Sequence, residues 1–358
     1  MIGQRLYRAR KAAGFSLRDL AAKVGLTHAA IKKYEDEQSA PSSVTLTKLA
    51  RALKVRTEYF SRPETVALDR IEYRKRSTLS KKHLESIEHE VIDQIERRIE
   101  LENLFPVQPV KPFAPVGGLP KLITDFAQIE DVAEAVRKAW DLGHNPIPDL
   151  IDVLEMHGIR VFMIDANAGP KFDGLAASLN STLGQMPIIV VGSNWPGDRQ
   201  RFTLAHELGH LMLAGRLASD LDDELACNRF AGAFLIPRHA VLQEIGRHRS
   251  TVEPKELALL KEGFGISMAG ILYRARDLGI VTSAWRDGQA RLFRNKGWNI
   301  TEPGKPYPAE KAHVFEQLVF HALAEDYIGE AKAAELMKIS LTALKKMRAL
   351  EGGDVSSQ

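Results

Sequence analysis

Residues 105–118, "FPVQPVKPFAPVGG", hold four prolines and two glycines in fourteen positions. Proline has no backbone N–H to donate and clashes with the preceding turn, so neither a helix nor a central strand passes through such a segment. It reads as an extended, exposed linker. The chain therefore cannot be one continuous packed unit, and the residues before it must find cores of their own. At 358 residues, with 44% hydrophobic and 27% charged side chains, there is enough chain for two or three globular domains.

Charge divides the chain in the same way. Residues 1–62 carry thirteen Lys or Arg against five Asp or Glu, a net of +8 in a protein whose total is +3. A basic head on a mildly acidic body fits a nucleic-acid-binding module joined to something else. The single cysteine, Cys227, excludes an intramolecular disulfide. No leader-like apolar run begins the chain, and no stretch approaches the ~18 apolar residues that would span a bilayer. A cytoplasmic protein without membrane partners is expected.

In the head, apolar residues recur at helical spacing in short bursts. Leu6, Ala9 and Ala13 mark a first helix that stops at Gly14. Ser16, with Asp19 three residues on, caps a second helix that Gly25 ends. Thr27 caps a third, and a fourth follows Pro41 with Val44, Leu46, Leu49 and Leu53. Two short helices joined by a turn containing glycine make a helix-turn-helix, whose second helix enters the major groove. Thr27, His28, Ala29, Lys32 and Lys33 are then the residues expected to meet bases or phosphates. The stretches "SLRDLAAKVGLT", "AAIKKYE" and "LTKLARALKV" resemble the XRE/Cro/C1-type repressor family. They depart from it in the acidic "EDEQSAPS", where the family usually places a glycine. The resemblance implies duplex DNA as partner and a homodimer on two half-sites.

Residues 63–118 read as a connector. A basic start leads into a helix with Leu84, Ile87, Val91, Ile95, Ile99 and Leu101 at spacings of two to four, a strut or a dimer seam, and then into the proline-rich linker. "RKRSTLSKKHL" at 74–84 has no proline and is a candidate segment for self-cleavage. From Leu119 the pattern is mixed. Helices around 130–140 and 148–157 precede three strand-like runs, "IRVFMI", "KFDGLAASL" and "MPIIVV". The expected fold is multidomain: an all-α head, an α+β body with a small sheet over residues 119–280, and a helical region of unknown role over 281–358. Within the last, "SLTALKKMRAL" resembles another helix-turn-helix.

The body holds "RFTLAHELGHLML", residues 201–213. His206 and His210, four apart, lie on one helical face and can converge on one ion. A catalytic zinc site takes three protein ligands and keeps a fourth position for water. Glu207, beside the first histidine, can take a proton from that water. The next helix, "DDELACNRFAGAFLIP", offers a third ligand in Glu224, with Asp222 and Asp223 as substitutes and small Ala231 and Gly232 to let the helices approach. The same five-residue pattern also arises on ordinary core helices. The apolar stripe of Phe202, Leu204, Leu208 and Leu211, the preceding strand and the following carboxylate helix favour the metal. Together these stretches are similar to the ImmA/IrrE family of zinc metallopeptidases over roughly residues 120–280.

That resemblance implies zinc as cofactor, with manganese as a substitute in vitro. It places the metal on His206, His210 and Glu224, the base on Glu207, and Cys227 where the family usually has alanine, close enough to be asked whether it contacts the ion. His239 is a candidate oxyanion stabiliser. The reading is a DNA-binding regulator with zinc endopeptidase activity that cuts an XRE-type repressor. Two alternatives stand beside it: a transcription factor whose metal domain senses a ligand or stress signal without cleaving, and an antitoxin-like partner module.

Overall fold

The computed structural model describes residues 2–62, 81–165, 172–181 and 184–351. The basic start of the connector lies outside these, and with it most of the candidate cleavage segment at 74–84. In the head, α1 (Ile2–Ala12), α2 (Leu17–Val24), α3 (His28–Glu35) and α4 (Ser43–Leu53) are followed by a 3-10 turn at Thr57–Ser61. Leu6, Leu20, Ile31, Leu49 and Phe60 form their shared core. The expected caps are present: Ser16 and Asp19 make a reciprocal capping box, and Gly25 ends α2 with φ of 70°. Arg10 clamps α3 to α1 through a bidentate pair with Glu35, at 2.6 and 2.8 Å.

The connector helix α5 (Lys81–Glu102) is covered on two sides within its own chain. Ile87, Val91, Ile95 and Ile99 pack against Phe162, Ile164, Ile188 and Val190 of the sheet. On its other side Glu96 pairs with Arg5 and Arg8 of α1, and the Ser86 hydroxyl donates to Ala12 O at 2.6 Å. The stripe is therefore neither a free strut nor a dimer seam. Its spacing foretells that one face is buried, but a helix and a sheet cover such a face equally well. The linker that follows is largely exposed, yet Val110 is buried beside Leu101, and Phe113 packs against the body's core. It is an anchored strap.

The body starts with α6 (Phe126–Ala139) and α7 (Leu150–Met156), then β1 (Arg160–Ile164), β2 (Gly174–Ser181) and β3 (Gly184–Gly192). The sheet order is β1-β3-β2, with β1 parallel and β2 antiparallel to β3. Because both faces are covered, "IIVV" is continuously apolar: Ile188 and Val190 face α5, while Ile189 and Val191 join the main core. That core is completed by α8 (Gly197–Leu213), α9 (Asp223–Leu235), α10 (Arg238–Glu244), α11 (Pro254–Phe264) and α12 (Met268–Asp277). Then come α13 (Ser283–Asn295), α14 (Val314–Ala324), α15 (Glu330–Leu336) and α16 (Leu341–Arg348).

Buried ion pairs fix the helices that carry the candidate site. Arg274 of α12 grips Glu130 of α6 with two nitrogens, and Arg229 of α9 reaches the same carboxylate at 2.6 Å. Arg201 of α8, fully buried, pairs with Glu310 and donates to Ile147 O at 2.7 Å. Removing one member of such a pair leaves a stranded charge, so these contacts hold α8 and α9 in register.

Candidate metal centre

Leu204, Ala205, Leu208 and Met212 turn one side of α8 into the core. The i to i+4 spacing then sets His206 and His210 side by side, rings edge to face with centroids 4.8 Å apart. At the start of α9, the Asp222 carboxylate caps the helix by accepting from Leu225 N at 2.8 Å, which places Glu224 in the first turn. The Glu224 oxygens stand 3.4 Å from His206 Nε2 and 3.7 Å from His210 Nε2. One donor atom from each of the three lies within 4.8 Å of the other two. Ligands about 2.0–2.1 Å from a tetrahedral zinc stand roughly 3.4 Å from one another, so the two imidazoles and the carboxylate fit that ion and leave one position for water.

The remaining ring nitrogens have partners of their own. Asn228 Oδ1 lies 3.0 Å from His206 Nδ1, while Cys227 Sγ at 3.1 Å and Asp223 Oδ2 at 3.5 Å face His210 Nδ1. With Nδ1 protonated in both rings, Nε2 is the nitrogen offered to an ion. Cys227, Asp223 and His210 gather as a second donor set, but on the Nδ1 edge of the shared ring. Cys227 therefore belongs to the edge of His210 that does not face Glu224. Of the two substitutes considered for Glu224, Asp222 is a helix cap and Asp223 sits on that same Nδ1 edge. Asn228 was not singled out in the sequence; its spacing of four from Glu224, which sets it on the same face of α9, was the available signal.

Glu207 is buried and faces β2. A Cβ on Gly174 would stand 3.5 Å from Glu207 Cγ and only 2.5 Å from Thr203 Cγ2, so the absent side chain lets the strand cross α8 closely. The approach of α8 to α9 has its own glycine. A Cβ on Gly209 would meet Phe230 at 3.2 Å and Cys227 Cα at 3.3 Å. Gly232, expected to serve this approach, instead makes room for the Arg274 side chain. His239 is exposed on α10, its ring stacked on His144 at 4.6 Å, and belongs to neither donor set.

In the head, Thr27 caps α3 by accepting from Ala30 N at 3.1 Å. His28, Ala29, Lys32 and Lys33 are all exposed on one side, with Ile31 buried beneath them. Asp36 pairs with Lys32, and that hydrogen bond raises the lysine's pKa. The acidic departure noted in the sequence thus offsets part of the basic face.

A helix-turn-helix head and a domain with a two-histidine, one-carboxylate donor set on adjacent helices define the class. Residues 6–60 match the helix-turn-helix family model, and residues 154–276 match that of the IrrE N-terminal-like domain. The chain thus joins an XRE-type head to an ImmA/IrrE-like domain. Among curated proteins it is similar to the radiation response metalloprotease IrrE of Deinococcus radiodurans, 34% identical over 138 residues. The match takes in 35% of this chain and spans 37% of the relative's length. No helix among the described residues is long and apolar enough to cross a membrane.

Proposed function

We propose that this protein is a DNA-binding regulator whose body is a zinc-dependent endopeptidase, and that its substrate is an XRE-type repressor. The observation that carries the reading is the convergence of His206 Nε2, His210 Nε2 and the Glu224 carboxylate beside buried Glu207. A zinc ion held there would polarise a scissile carbonyl and acidify water. Glu207 accepts the proton of the attacking water and hands it to the leaving amine. Asn228 keeps the His206 ring in its orientation. Strand β2, which among the described residues pairs on one side only, offers an edge to which an extended substrate can add as a further strand. The head contacts duplex DNA through α3, and a homodimer on two half-sites must use a surface other than the covered stripe of α5.

The intact base favours this reading over a metal-dependent sensor that cuts nothing. Glu207→Gln is expected to keep one zinc per chain and lose cleavage of an added XRE-type repressor, whereas His206→Ala with His210→Ala loses both. Cleavage that survives in Glu207→Gln would remove the mechanism. Equal zinc content in the wild type and the double histidine variant would remove the site.

A further inference from the structure

Helices α15 and α16 repeat the head's reading unit, α2, its turn and α3, residue for residue, 313 positions later. In the head, Gly25 takes φ of 70°, Leu26 N donates to Ala21 O at 3.0 Å, and Thr27 Oγ1 accepts from Ala30 N at 3.1 Å. In the second unit Lys338 takes φ of 55°, Ile339 N donates to Ala334 O at 3.0 Å, and Ser340 Oγ accepts from Ala343 N at 3.1 Å. A lysine in the left-handed region is uncommon, so the turn is imposed by packing and not by a glycine. The buried positions coincide as well: Leu20, Ala21 and Ile31 correspond to Ala333, Ala334 and Leu344. The preceding helices end alike, one position out of that register, with Gly14 at φ of 67° and Asp326 at 56°. Helices α14, α15 and α16 pack Leu318, Val319, Ala322, Leu336 and Leu344 into one core, closed from outside by Leu101 of α5 and Val110 of the linker.

The outward face matches too. His28, Ala29, Lys32 and Lys33 have as counterparts Leu341, Thr342, Lys345 and Lys346, all exposed. The segment "KISLTALKKMR", residues 338–348, has no acidic residue and four basic ones, of which Lys338 pairs with Asp93 of α5 at 2.6 Å, whereas the head's α3 ends in Glu35 and is followed by Asp36. Glu330 of α15 neutralises Arg348 and lies 3.9 Å from Lys345; Lys346 has no ion pair among the described residues. We propose that α15 and α16 form a second helix-turn-helix, and that α16 binds duplex DNA through Thr342, Lys345 and Lys346. The two units touch: the Arg56 guanidinium donates to Ala331 O at 2.6 Å and Arg62 pairs with Glu335. One chain thus holds two DNA-contacting helices on units fixed to each other.

The test uses the full chain and fluorescence anisotropy with a labelled mixed-sequence duplex of about 30 base pairs, from ~50 to ~200 mM salt. Lys345→Glu with Lys346→Glu is expected to weaken binding roughly tenfold or more at the low-salt end and to lower the salt slope by about 2. Lys111→Glu with Lys121→Glu, a charge-matched reversal of two exposed residues in and just after the linker, should stay within about twofold of wild type. Circular dichroism confirms that each variant is folded. If the α16 variant matches the linker control, or the wild type binds no duplex, the proposal falls. The head is tested separately by Lys32→Glu with Lys33→Glu. A loss there, with the α16 variant unchanged, leaves DNA binding to the head alone; losses in both variants support two contacting helices.

Discussion

His89 makes the docking of the head onto α5 sensitive to acid. Its ring meets Tyr7 of α1 edge to face at 5.6 Å, and its Nδ1 is buried with no hydrogen-bond partner among the described residues. Burial, then Arg8, Lys11 and Arg10, push its pKa down to about 4, and Glu85 opposes them only in part. The free imidazole titrates near 6.5, so in the docked state the ring is neutral where the released ring would be protonated. A histidine whose pKa is lowered by docking contributes stability above pH about 6.5 and loses it as the pH falls toward 4. Between pH 7.5 and 4.5 the loss from this one group is about 2–3 kcal/mol, roughly a hundredfold in the docking equilibrium. Hydrogen exchange by mass spectrometry, corrected for intrinsic rates, reads this as falling protection in peptides from residues 2–12 and 84–102. His89→Phe keeps the edge-to-face contact and cannot titrate, so its protection should fall about a hundredfold less over the same range. Parallel pH profiles for wild type and variant would refute the assignment, because Glu96 and the other carboxylates are common to both.

Asn228→Ala removes the hydrogen bond that holds His206 and frees its ring to turn; zinc affinity, measured by chelator competition, should fall about 10–100-fold, and Asn228→Asp should restore it. An unchanged affinity in Asn228→Ala would show that the ring is held by packing alone. Gly209→Ala forces a methyl against Phe230 and Cys227, and should cost about 1–3 kcal/mol in thermal unfolding while lowering zinc affinity, because α9 carries Glu224. Arg274→Met strands the buried Glu130 carboxylate, with Arg229 as its remaining partner, for a loss of about 3 kcal/mol. Burial raises the Glu130 pKa, but Arg274, Arg229 and Arg238 together hold it below the ordinary value. Its contribution is therefore present above pH about 4.5 and disappears as acid protonates it, and Arg274→Met should flatten that acid-side slope.

Local rules were enough for the elements. The caps at Ser16 and Thr27, the glycine stop at Gly25, the apolar stripe of α5 and the three strand runs are each set by a few neighbouring residues, whose dihedral and hydrogen-bond preferences act over one or two turns. The pairing of His206 with His210 was legible for the same reason, since the helical period alone puts them on one face. What lies across a face is a different matter. That Ile87, Val91, Ile95 and Ile99 meet a sheet in their own chain, that Gly209 rather than Gly232 admits α9 to α8, and that Cys227 faces Nδ1 of His210 are outcomes of packing between segments far apart in sequence. The second helix-turn-helix shows the division most plainly. Lys338 carries no signal for a left-handed turn; the core that includes Leu318, Val319, Leu336 and Leu344, together with the ion pair of Lys338 to Asp93 of α5, holds it there, because packing energy summed over a buried cluster exceeds the small local preference of one residue's backbone.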